Sequence, residues 1–377
     1  MSFFLIIFYI LYGLMNLYAF VRAKAAFAFG ISLAIPLAIF MVLMALGPVI
    51  IHQSEKIGYE AFARAAAYAG YIWMGVLFLF CSAAAALDIY RLLVQGAGYI
   101  AGKDVTPFVL SARNAFVVPL ILALCISVYG YFEALNIRAE RLVIKTPKIS
   151  KEIGKLTIAQ ISDVHIGLIV REERLMRILD IVRAAKPDFF VSTGDLVDGQ
   201  ISRLNGLSDM LRNVSARYGK YAITGNHEYY AGVDQAMEFT RNAGFTILRG
   251  DAVTGPINIA GVDDIAALPF GLYRGVPEDI LLGSLPKDKF TLLLKHRPMV
   301  DKKSEGLFDL QLSGHVHKGQ IFPFSLITKY YYPVYTGYAE YAGHSRLYVS
   351  PGTGTWGPPI RFLAPPEVTI IELVHGE

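Results

Sequence analysis

The sequence predicts an α-helical membrane region of about four spans, followed by an α/β domain. Hydrophobic residues make up 54% of the 377-residue chain, which is above the usual range for a soluble domain. The excess lies in long apolar runs within residues 1–135. After residue 155, apolar β-rich runs alternate with segments of helical periodicity. We therefore predict a transmembrane helical anchor over 1–137, a linker and leading strand over 138–155, and a soluble domain over 156–377.

Four apolar stretches are long enough to cross a bilayer as helices, because a span needs about 20 apolar residues. They are Phe3–Val21, Phe27–Ile51, Tyr68–Val94 and Phe108–Leu135. We expect a retained, multi-pass anchor and not a cleaved signal peptide, since the first run lacks a basic n-region and three more spans follow. The ionisable residues near the spans either snorkel from helix ends or mark a polar cavity; they are Asp88, Arg91, Arg113 and Glu133.

The charges beside the spans give conflicting indications of orientation. Four spans would place both termini on one side of the membrane. Arg22 and Lys24 follow the first span, which favours an outward N-terminus and an extracytoplasmic soluble domain. The basic stretch Arg138–Lys155 favours the cytoplasmic side instead. We favour the extracytoplasmic side, because the first helix usually dominates orientation.

Five predicted strands in the second half each end just before a possible metal ligand. Leu156–Ile161 precedes Asp163 and His165, Phe189–Ser192 precedes Asp195, Tyr221–Ile223 precedes Asn226 and His227, Phe290–Leu294 precedes His296, and Phe308–Leu312 precedes His315 and His317. Helical segments at Arg171–Ala185 and Leu204–Ser215 separate the first three strands, which predicts βαβ units with a largely parallel core. In open α/β sheets, ligands bind beyond the carboxyl ends of the strands.

The residue types predict a pair of divalent metal ions. Asp163 and His165 are two residues apart, so in an extended segment both would point the same way, and His315 and His317 repeat the spacing. Mixed imidazole, carboxylate and amide ligands suit Mn, Fe or Zn better than Mg or Ca. The set exceeds what one tetrahedral ion needs, and two ions about 3.5–4 Å apart that share one carboxylate would use all of it. Any one of these residues alone would more often be a turn or capping residue, but the joint pattern favours a metal site.

Together, these blocks resemble those of the calcineurin-like metallophosphoesterase superfamily, in the same order, over about residues 154–377. Within it, the chain is similar to a bacterial transmembrane or exported subgroup related to YaeI and YkuE, and Gly352–Arg361 adds to that similarity. The resemblance implies two facing mixed β-sheets flanked by helices.

The resemblance also implies a role for each residue. One metal would be held by Asp163, His165, Asp195 and His317, and the other by Asp195, Asn226, His296 and His315, with Asp195 bridging. Asp195 and His227 would be catalytic, Asn226 and His227 would contact the substrate, and His227 would protonate the leaving oxygen. Two positions depart from the family pattern. Glu228 stands where many members have Asp, and Lys318 stands where Gly is frequent in the subgroup; Lys318 is either a substrate-binding cation or a solvated charge.

The expected function is hydrolysis of phosphodiester, phosphomonoester or pyrophosphate bonds by a metal-activated hydroxide. The tyrosine-rich stretch Tyr330–Tyr341 is either a lid resting on the bilayer or an edge hairpin, and with the anchor it suggests a lipid-linked substrate. Family members that hydrolyse a nucleotide-diphosphate diacylglucosamine imply the same substrate class. The alternatives are a cyclic-nucleotide phosphodiesterase and a non-catalytic membrane sensor or scaffold with a metal-binding domain. A net charge of only +4 indicates no nucleic-acid partner, and the oligomeric state stays open.

Overall fold

A computed structural model describes residues 3–199, 204 and 206–376 of the protein. The chain divides into two compact units. The first, the membrane unit, extends to Phe132 and includes Gly357–Ile360; the second, the catalytic unit, comprises Glu133–Trp356 and the residues from Arg361 onward.

The N-terminal region consists of apolar helices. They are α1 (Phe3–Phe27), α2 (Ile31–Ala45), α3 (Gly47–Lys56), α4 (Glu60–Ala101) and α5 (Asn114–Leu135), with a short 3-10 helix at Thr106–Phe108. By length and composition, α1, α4 and α5 could each cross a membrane, and the bent pair α2–α3 could supply a fourth span. Three to four apolar helices agree with the predicted membrane region.

All four predicted spans differ from the helices in the structure. α1 continues past Val21 to Phe27, and α5 begins at Asn114 and not at Phe108. The stretch Phe27–Ile51 contains two helices that meet at 54°, because Pro48 at the start of α3 cannot continue the hydrogen bonding of α2. The stretch Tyr68–Val94 lies within α4, whose 42 residues extend about 63 Å at 1.5 Å per residue. Arg91 does not end this helix; it ends at Gly102, which takes the left-handed conformation that favours glycine.

One charged residue in α4 has partners within the membrane unit. The Arg22 guanidinium donates to Asp88 Oδ1 at 2.6 Å, and the Tyr18 hydroxyl donates to Asp88 Oδ2 at 2.6 Å. Arg22 also donates to the Ala115 carbonyl oxygen at 2.7 Å. Asp88 therefore joins α1 to α4 through an ion pair.

The catalytic unit contains two six-stranded mixed sheets. The strands are β1 (Arg138–Thr146), β2 (Lys155–Ile161), β3 (Phe189–Ser192), β4 (Lys220–Ala222), β5 (Thr246–Ile247), β6 (Asp251–Thr254), β7 (Asn258–Gly261), β8 (Thr291–Leu294), β9 (Leu310–Ser313), β10 (Gly337–Glu340), β11 (Arg346–Val349) and β12 (Glu367–His375). The first sheet has the order β1-β12-β2-β3-β4-β5, and the second has the order β10-β11-β9-β8-β7-β6. The predicted linker thus contains β1, which pairs in parallel with β12 from Arg138 opposite Glu367 to Thr146 opposite His375.

Helices flank both sheets. The helices of the catalytic unit are α6 (Glu172–Ala185), α7 (Leu207–Arg212), α8 (Asn226–Ala231), α9 (Val233–Asn242), α10 (Glu278–Gly283) and α11 (Phe324–Tyr331). The predicted helix Leu204–Ser215 corresponds to α7, and Asn205 lies outside the described residues.

Strand β2 shows how the sequence builds these layers. Leu156 and Ile158 join an apolar core made of residues from both sheets, whereas Ala159 and Ile161 face a second core shared with the helices. This alternation follows from the two-residue period of a strand. The predicted fold of two facing mixed sheets flanked by helices is confirmed.

Parallel strands bring the predicted ligands to one edge of each sheet. β2, β3 and β4 are parallel neighbours in the first sheet, and β8 and β9 are parallel neighbours in the second. The five groups of predicted ligands therefore each follow the carboxyl end of one of these strands.

Candidate metal centre

The seven predicted metal ligands lie together beyond these strand ends. Nitrogen and oxygen donors of Asp163, His165 and His317 lie within 4.8 Å of one another, as do those of Asp195, His296 and His315. Asn226 completes the second group, because its Oδ1 lies 3.3 Å from His296 Nε2. A third group joins His227 to His165 and Asp195.

Asp195 lies between the two groups. Its Oδ2 is 3.3 Å from His296 Nε2 and 3.9 Å from His165 Nε2. On the first side, His165 Nε2 and His317 Nε2 face each other at 3.1 Å. On the second side, His315 Nδ1 lies 3.2 Å from His296 Nε2. A single carboxylate between two sets of converging nitrogen donors fits a bridging role.

The backbone around the ligands is strained. Five predicted ligands have positive φ angles: Asp163 at 52°, His165 at 54°, Asp195 at 52°, His315 at 72° and His317 at 48°. The expectation that Asp163 and His165 converge through an extended segment is therefore wrong, as is the same expectation for His315 and His317. The donors instead converge beyond the strand ends through loops that contain left-handed residues. Such conformations are costly for non-glycine residues and concentrate at functional sites.

Hydrogen bonds hold the two central carboxylates in place. The His315 backbone N–H donates to both Asp163 oxygens at 3.0 Å, and the His227 backbone N–H donates to Asp195 Oδ1 at 2.8 Å. Gly225 allows its backbone to approach Asp195, because a Cβ there would lie 2.2 Å from Asp195 Oδ1. These hydrogen bonds fix the orientation of both carboxylates.

Buried Glu228 supports the same loops. Its carboxylate accepts hydrogen bonds from the backbone N–H groups of Gly225 at 2.6 Å, Asp195 at 3.0 Å and Leu196 at 2.7 Å. One side chain thus joins the loop after β3 to the start of α8.

The electrostatics of the centre favour a cation. Burial lowers the pKa of His165 to about 4 and that of His315 to about 3, so both are neutral near pH 7, the form in which imidazole binds metals. Burial also lowers the pKa of His296, but the Asp195 carboxylate outweighs it and raises that pKa to about 10. Burial, with repulsion from Asp195, raises the pKa of Asp163 to about 6. The donor set, with carboxylates that stabilise a positive charge at His296, fits two divalent cations.

Comparison with known proteins agrees with this geometry. Residues 156–319 match the family model described as calcineurin-like phosphoesterase. The chain is also 37% identical over 258 residues to an uncharacterized metallophosphoesterase of Aquifex aeolicus, an alignment that covers 67% of this chain and 98% of that protein. The chain belongs to the calcineurin-like metallophosphoesterase family.

Two further relatives bear on the predicted subgroup and on the membrane region. The uncharacterized metallophosphoesterase YkuE of Bacillus subtilis is 33% identical over 262 residues, covering 65% of this chain and 89% of YkuE. A "Transmembrane protein with metallophosphoesterase domain" of Danio rerio is 29% identical over 323 residues, covering 80% of this chain and 74% of that protein. With its own apolar helices of spanning length, this metallophosphoesterase is a membrane protein.

Asp198 is a site residue that sequence reasoning missed. Its Oδ1 lies 3.1 Å from His227 Nδ1. Burial lowers the pKa of His227, but the Asp195 and Asp198 carboxylates outweigh it and raise that pKa to about 9. The available signal was a carboxylate three residues after Asp195 in the same loop, but the spacing alone did not indicate its partner.

Arg361 is a second residue whose place at the site was missed. It is fully buried and donates to the carbonyl oxygens of Pro351 at 2.6 Å and Gly354 at 2.6 Å. Its Nη2 lies 3.2 Å from His317 Nδ1. In the sequence, Arg361 belongs to the stretch Gly352–Arg361 that resembles the family, but no role could be predicted for it. Most of its partners are backbone carbonyl oxygens, which leave no signal in the sequence.

Lys318 lies beside the centre in the chain. It is half-buried, and its φ of 52° is in the left-handed region that glycine would adopt more easily. Within the described part of the chain, its ammonium group has no hydrogen-bond or ion-pair partner. The role of Lys318 as a substrate-binding cation therefore stays a prediction.

The tyrosine-rich stretch spans the end of a helix and an edge hairpin, and the lid on the bilayer stays a prediction. Tyr330 and Tyr331 are exposed at the end of α11, whereas Tyr338 lies on β10, an edge strand antiparallel to β11. Between them, the Tyr332 ring lies 5.7 Å from the His315 ring. The stretch thus runs from an exposed helix, past a predicted metal ligand, to a sheet edge.

Proposed function

We propose that this metallophosphoesterase hydrolyses phosphate esters with two divalent cations, Mn, Fe or Zn, that share the Asp195 carboxylate. The first cation is assigned to Asp163, His165, Asp195 and His317, and the second to Asp195, Asn226, His296 and His315. The position of Asp195 Oδ2, 3.3 Å from His296 Nε2 and 3.9 Å from His165 Nε2, carries the proposal.

The cations would lower the pKa of a coordinated water and neutralise charge on the phosphate oxygens. The protein's own residues would bind the substrate and manage the proton. His227 donates a proton from Nε2 to the leaving oxygen as the P–O bond breaks, because Asp198 occupies Nδ1. Asn226 and Lys318 contact the substrate phosphate, and among the described residues the Lys318 ammonium group makes no hydrogen bond or ion pair.

A lipid-linked phosphoester is the finer substrate proposal. Helix α11 begins five residues after the 3-10 helix His317–Gly319, so it is close in the chain to a predicted ligand. Its outer face carries Leu326, Ile327 and Tyr330, with 63%, 53% and 82% of their surfaces exposed. An exposed apolar helix beside Lys329 is suited to lie at a bilayer surface.

We propose an anchor over 1–137, a linker and leading strand over 138–155, and a catalytic domain over 156–377 on the extracytoplasmic side.

Metal content and hydrolysis by the full chain in detergent test the proposal. We expect two metal equivalents per chain and turnover of bis(p-nitrophenyl) phosphate. Asp195→Asn should lose both metals and activity, whereas His344→Ala, an exposed histidine outside the centre, should keep them. Two bound metals with no hydrolysis of diesters, monoesters or pyrophosphates would support a sensor or scaffold instead. A strong preference for a 3′,5′-cyclic nucleotide would support the phosphodiesterase alternative.

The lipid proposal and the orientation have separate tests. A long-chain phospholipid ester should be turned over with a lower KM than its short-chain analogue, and Leu326→Ser with Ile327→Ser should remove that difference. Equal kinetics for both chain lengths would exclude the lipid role. Protease added to spheroplasts should cleave the catalytic domain if it is extracytoplasmic, and only lysed cells should allow cleavage if it is cytoplasmic.

A further inference from the structure

We infer that Trp356 and Tyr230 form a subsite for an aromatic ring on the leaving group of the substrate. The inference rests on the proposed function, and it adds the chemical class of the group that departs.

Both rings lie beside the proposed proton donor. The Trp356 ring centroid is 5.6 Å and the Tyr230 ring centroid 5.5 Å from that of His227, and both rings meet the imidazole at steep angles. The side chains are nevertheless open to solvent, with 44% of Trp356 and 64% of Tyr230 exposed. Because His227 protonates the leaving oxygen, the rest of the leaving group must pass next to these rings.

The loop that presents Trp356 is firmly held. The Trp356 backbone N–H donates to Gln320 Oε1 at 3.0 Å, and Gln320 Nε2 donates to the Trp356 carbonyl at 2.9 Å. Two residues earlier, the Gly354 N–H donates to the Asp163 carbonyl at 3.0 Å. A Cβ at Gly354 would lie 2.0 Å from the Val164 carbonyl oxygen, so only glycine allows this approach. The tryptophan is therefore fixed to the same loop that supplies Asp163.

Tyr230 is held as firmly. It lies on α8, whose first turn is fixed by Glu228. The preceding residue, Tyr229, is buried and stacks on Phe270 with centroids 6.0 Å apart. Two exposed aromatic side chains on rigid supports lose little conformational entropy when a ligand binds.

Aromatic side chains favour a planar group over an alkyl chain. Aliphatic side chains are sufficient to bind an alkyl group. Trp and Tyr also attract an aromatic ring through ring-to-ring contacts, in addition to the free energy gained by burying apolar surface. Stacking of a nucleic-acid base or another ring on such side chains tolerates many ring types, since every ring has a π-face. The subsite should therefore accept an aryl group or a nucleobase placed near the scissile oxygen.

The preference for an aromatic ring can be measured with alkyl phosphate esters whose leaving alcohols have similar acidity. Differences in rate then do not come from the ease with which the alcohol departs. We would compare benzyl, cyclohexylmethyl and methyl esters, as monoesters and as symmetric diesters, with the metal-loaded full chain. The benzyl ester should have the highest kcat/KM, by about five- to fiftyfold over each of the other two. Trp356→Leu and Tyr230→Leu should each bring the benzyl-to-methyl ratio towards one, whereas Tyr338→Leu, an exposed tyrosine on β10, should keep it.

A binding measurement removes the dependence on turnover. The chain has two tryptophans, and the other, Trp73, lies in α4, so Trp73→Phe leaves Trp356 as the sole tryptophan fluorophore. Non-hydrolysable 4-nitrobenzylphosphonate should quench this fluorescence at saturation, and methylphosphonate should not.

The outcomes separate this inference from the proposed function. Equal rates for benzyl and cyclohexylmethyl esters, an unchanged ratio in both leucine variants, or no quenching would each overturn the aromatic subsite, while hydrolysis of the methyl ester would leave the phosphoesterase proposal standing. Failure to hydrolyse every ester, bis(p-nitrophenyl) phosphate included, would overturn both.

Discussion

Asp198 Oδ1 lies 3.1 Å from Nδ1 of His227, and this contact sets the orientation of the imidazole at the metal centre. Asp198 is not one of the predicted metal ligands, so it acts on the histidine and leaves the cation donors complete. The pair therefore separates proton transfer from metal binding, and substitutions can test the two independently.

Asp198→Asn should lower kcat by at least about tenfold, because an amide cannot stabilise protonated His227 as a carboxylate does. The metal content should stay near the wild-type value, since the ligands are untouched. Turnover and metal analysis of the same preparation check this. Asp180→Asn, at an exposed ion pair on α6, is the matched control. Wild-type kcat in Asp198→Asn would show that the contact has no role in proton transfer.

His227→Ala should lower turnover about 10²–10⁴-fold with near-normal metal content, because general acid catalysis is lost. The loss should be much smaller for a p-nitrophenyl ester than for an alkyl ester, since p-nitrophenolate departs without a proton. Parallel kinetics on the two esters measure this difference. Equal losses, or a variant that no longer binds metal, would contradict the general-acid role.

Glu228→Ala should destabilise the catalytic unit by about 3 kcal/mol or more, because three backbone N–H groups lose their acceptor in a buried region. Metal affinity should fall as well, since two of the released groups belong to the loop of Asp195. Thermal unfolding with and without added metal would show both effects. Glu228→Gln retains one acceptor oxygen and should lie between wild type and alanine; a melting temperature of Glu228→Ala equal to wild type would refute the supporting role.

Lys318→Gly should slightly stabilise the protein. Relief of the left-handed conformation contributes about 1–2 kcal/mol, and the greater freedom of glycine in the unfolded chain offsets about 0.4–1 kcal/mol of that. If Lys318 contacts substrate phosphate, KM should rise in both Lys318→Gly and Lys318→Ala, although only the glycine variant is stabilised. An unchanged KM in both variants would identify Lys318 as a solvated charge.

The Arg22–Asp88 ion pair predicts that substitutions of these two residues have non-additive effects on the stability of the membrane unit. Asp88→Leu should destabilise the detergent-solubilised chain, because it leaves Arg22 without its carboxylate. Arg22→Met with Asp88→Leu should recover part of the loss, with a coupling of about 1 kcal/mol. Thermal unfolding of the two single variants and the double variant forms the cycle. Strictly additive effects would mean that the ion pair does not stabilise the contact between α1 and α4.

Much of the fold could be predicted because it depends on local periodicity. Leu156–Ile161 is apolar on both faces, and in the structure β2 is covered on both faces, by the second sheet and by helices. Membrane helices could be located because spans need long apolar runs. Helix ends were less predictable: a proline divides the second stretch, whereas Arg91 does not interrupt α4.

The identities of the candidate ligands were readable from the sequence, because Asp, Asn and His after strand ends must lie near the carboxyl edge of a parallel sheet. Their geometry was not readable. Asp163 and His165 reach the centre through left-handed backbone, a conformation that local preference disfavours and only the surrounding packing can impose.

The sequence by itself determined which residue types could bind metal and that apolar helices precede them. Only the tertiary structure decided that Asp198 meets His227, that Arg361 lies against His317, and that Trp356 and Tyr230 flank the same imidazole. For Asp198, Arg361 and Trp356 the physical reason is chain separation, because no periodic pattern encodes a contact between distant segments; Trp356 lies 129 residues from His227. Tyr230 is only three residues from His227, and its contact depends on the short helix α8, which begins at Asn226.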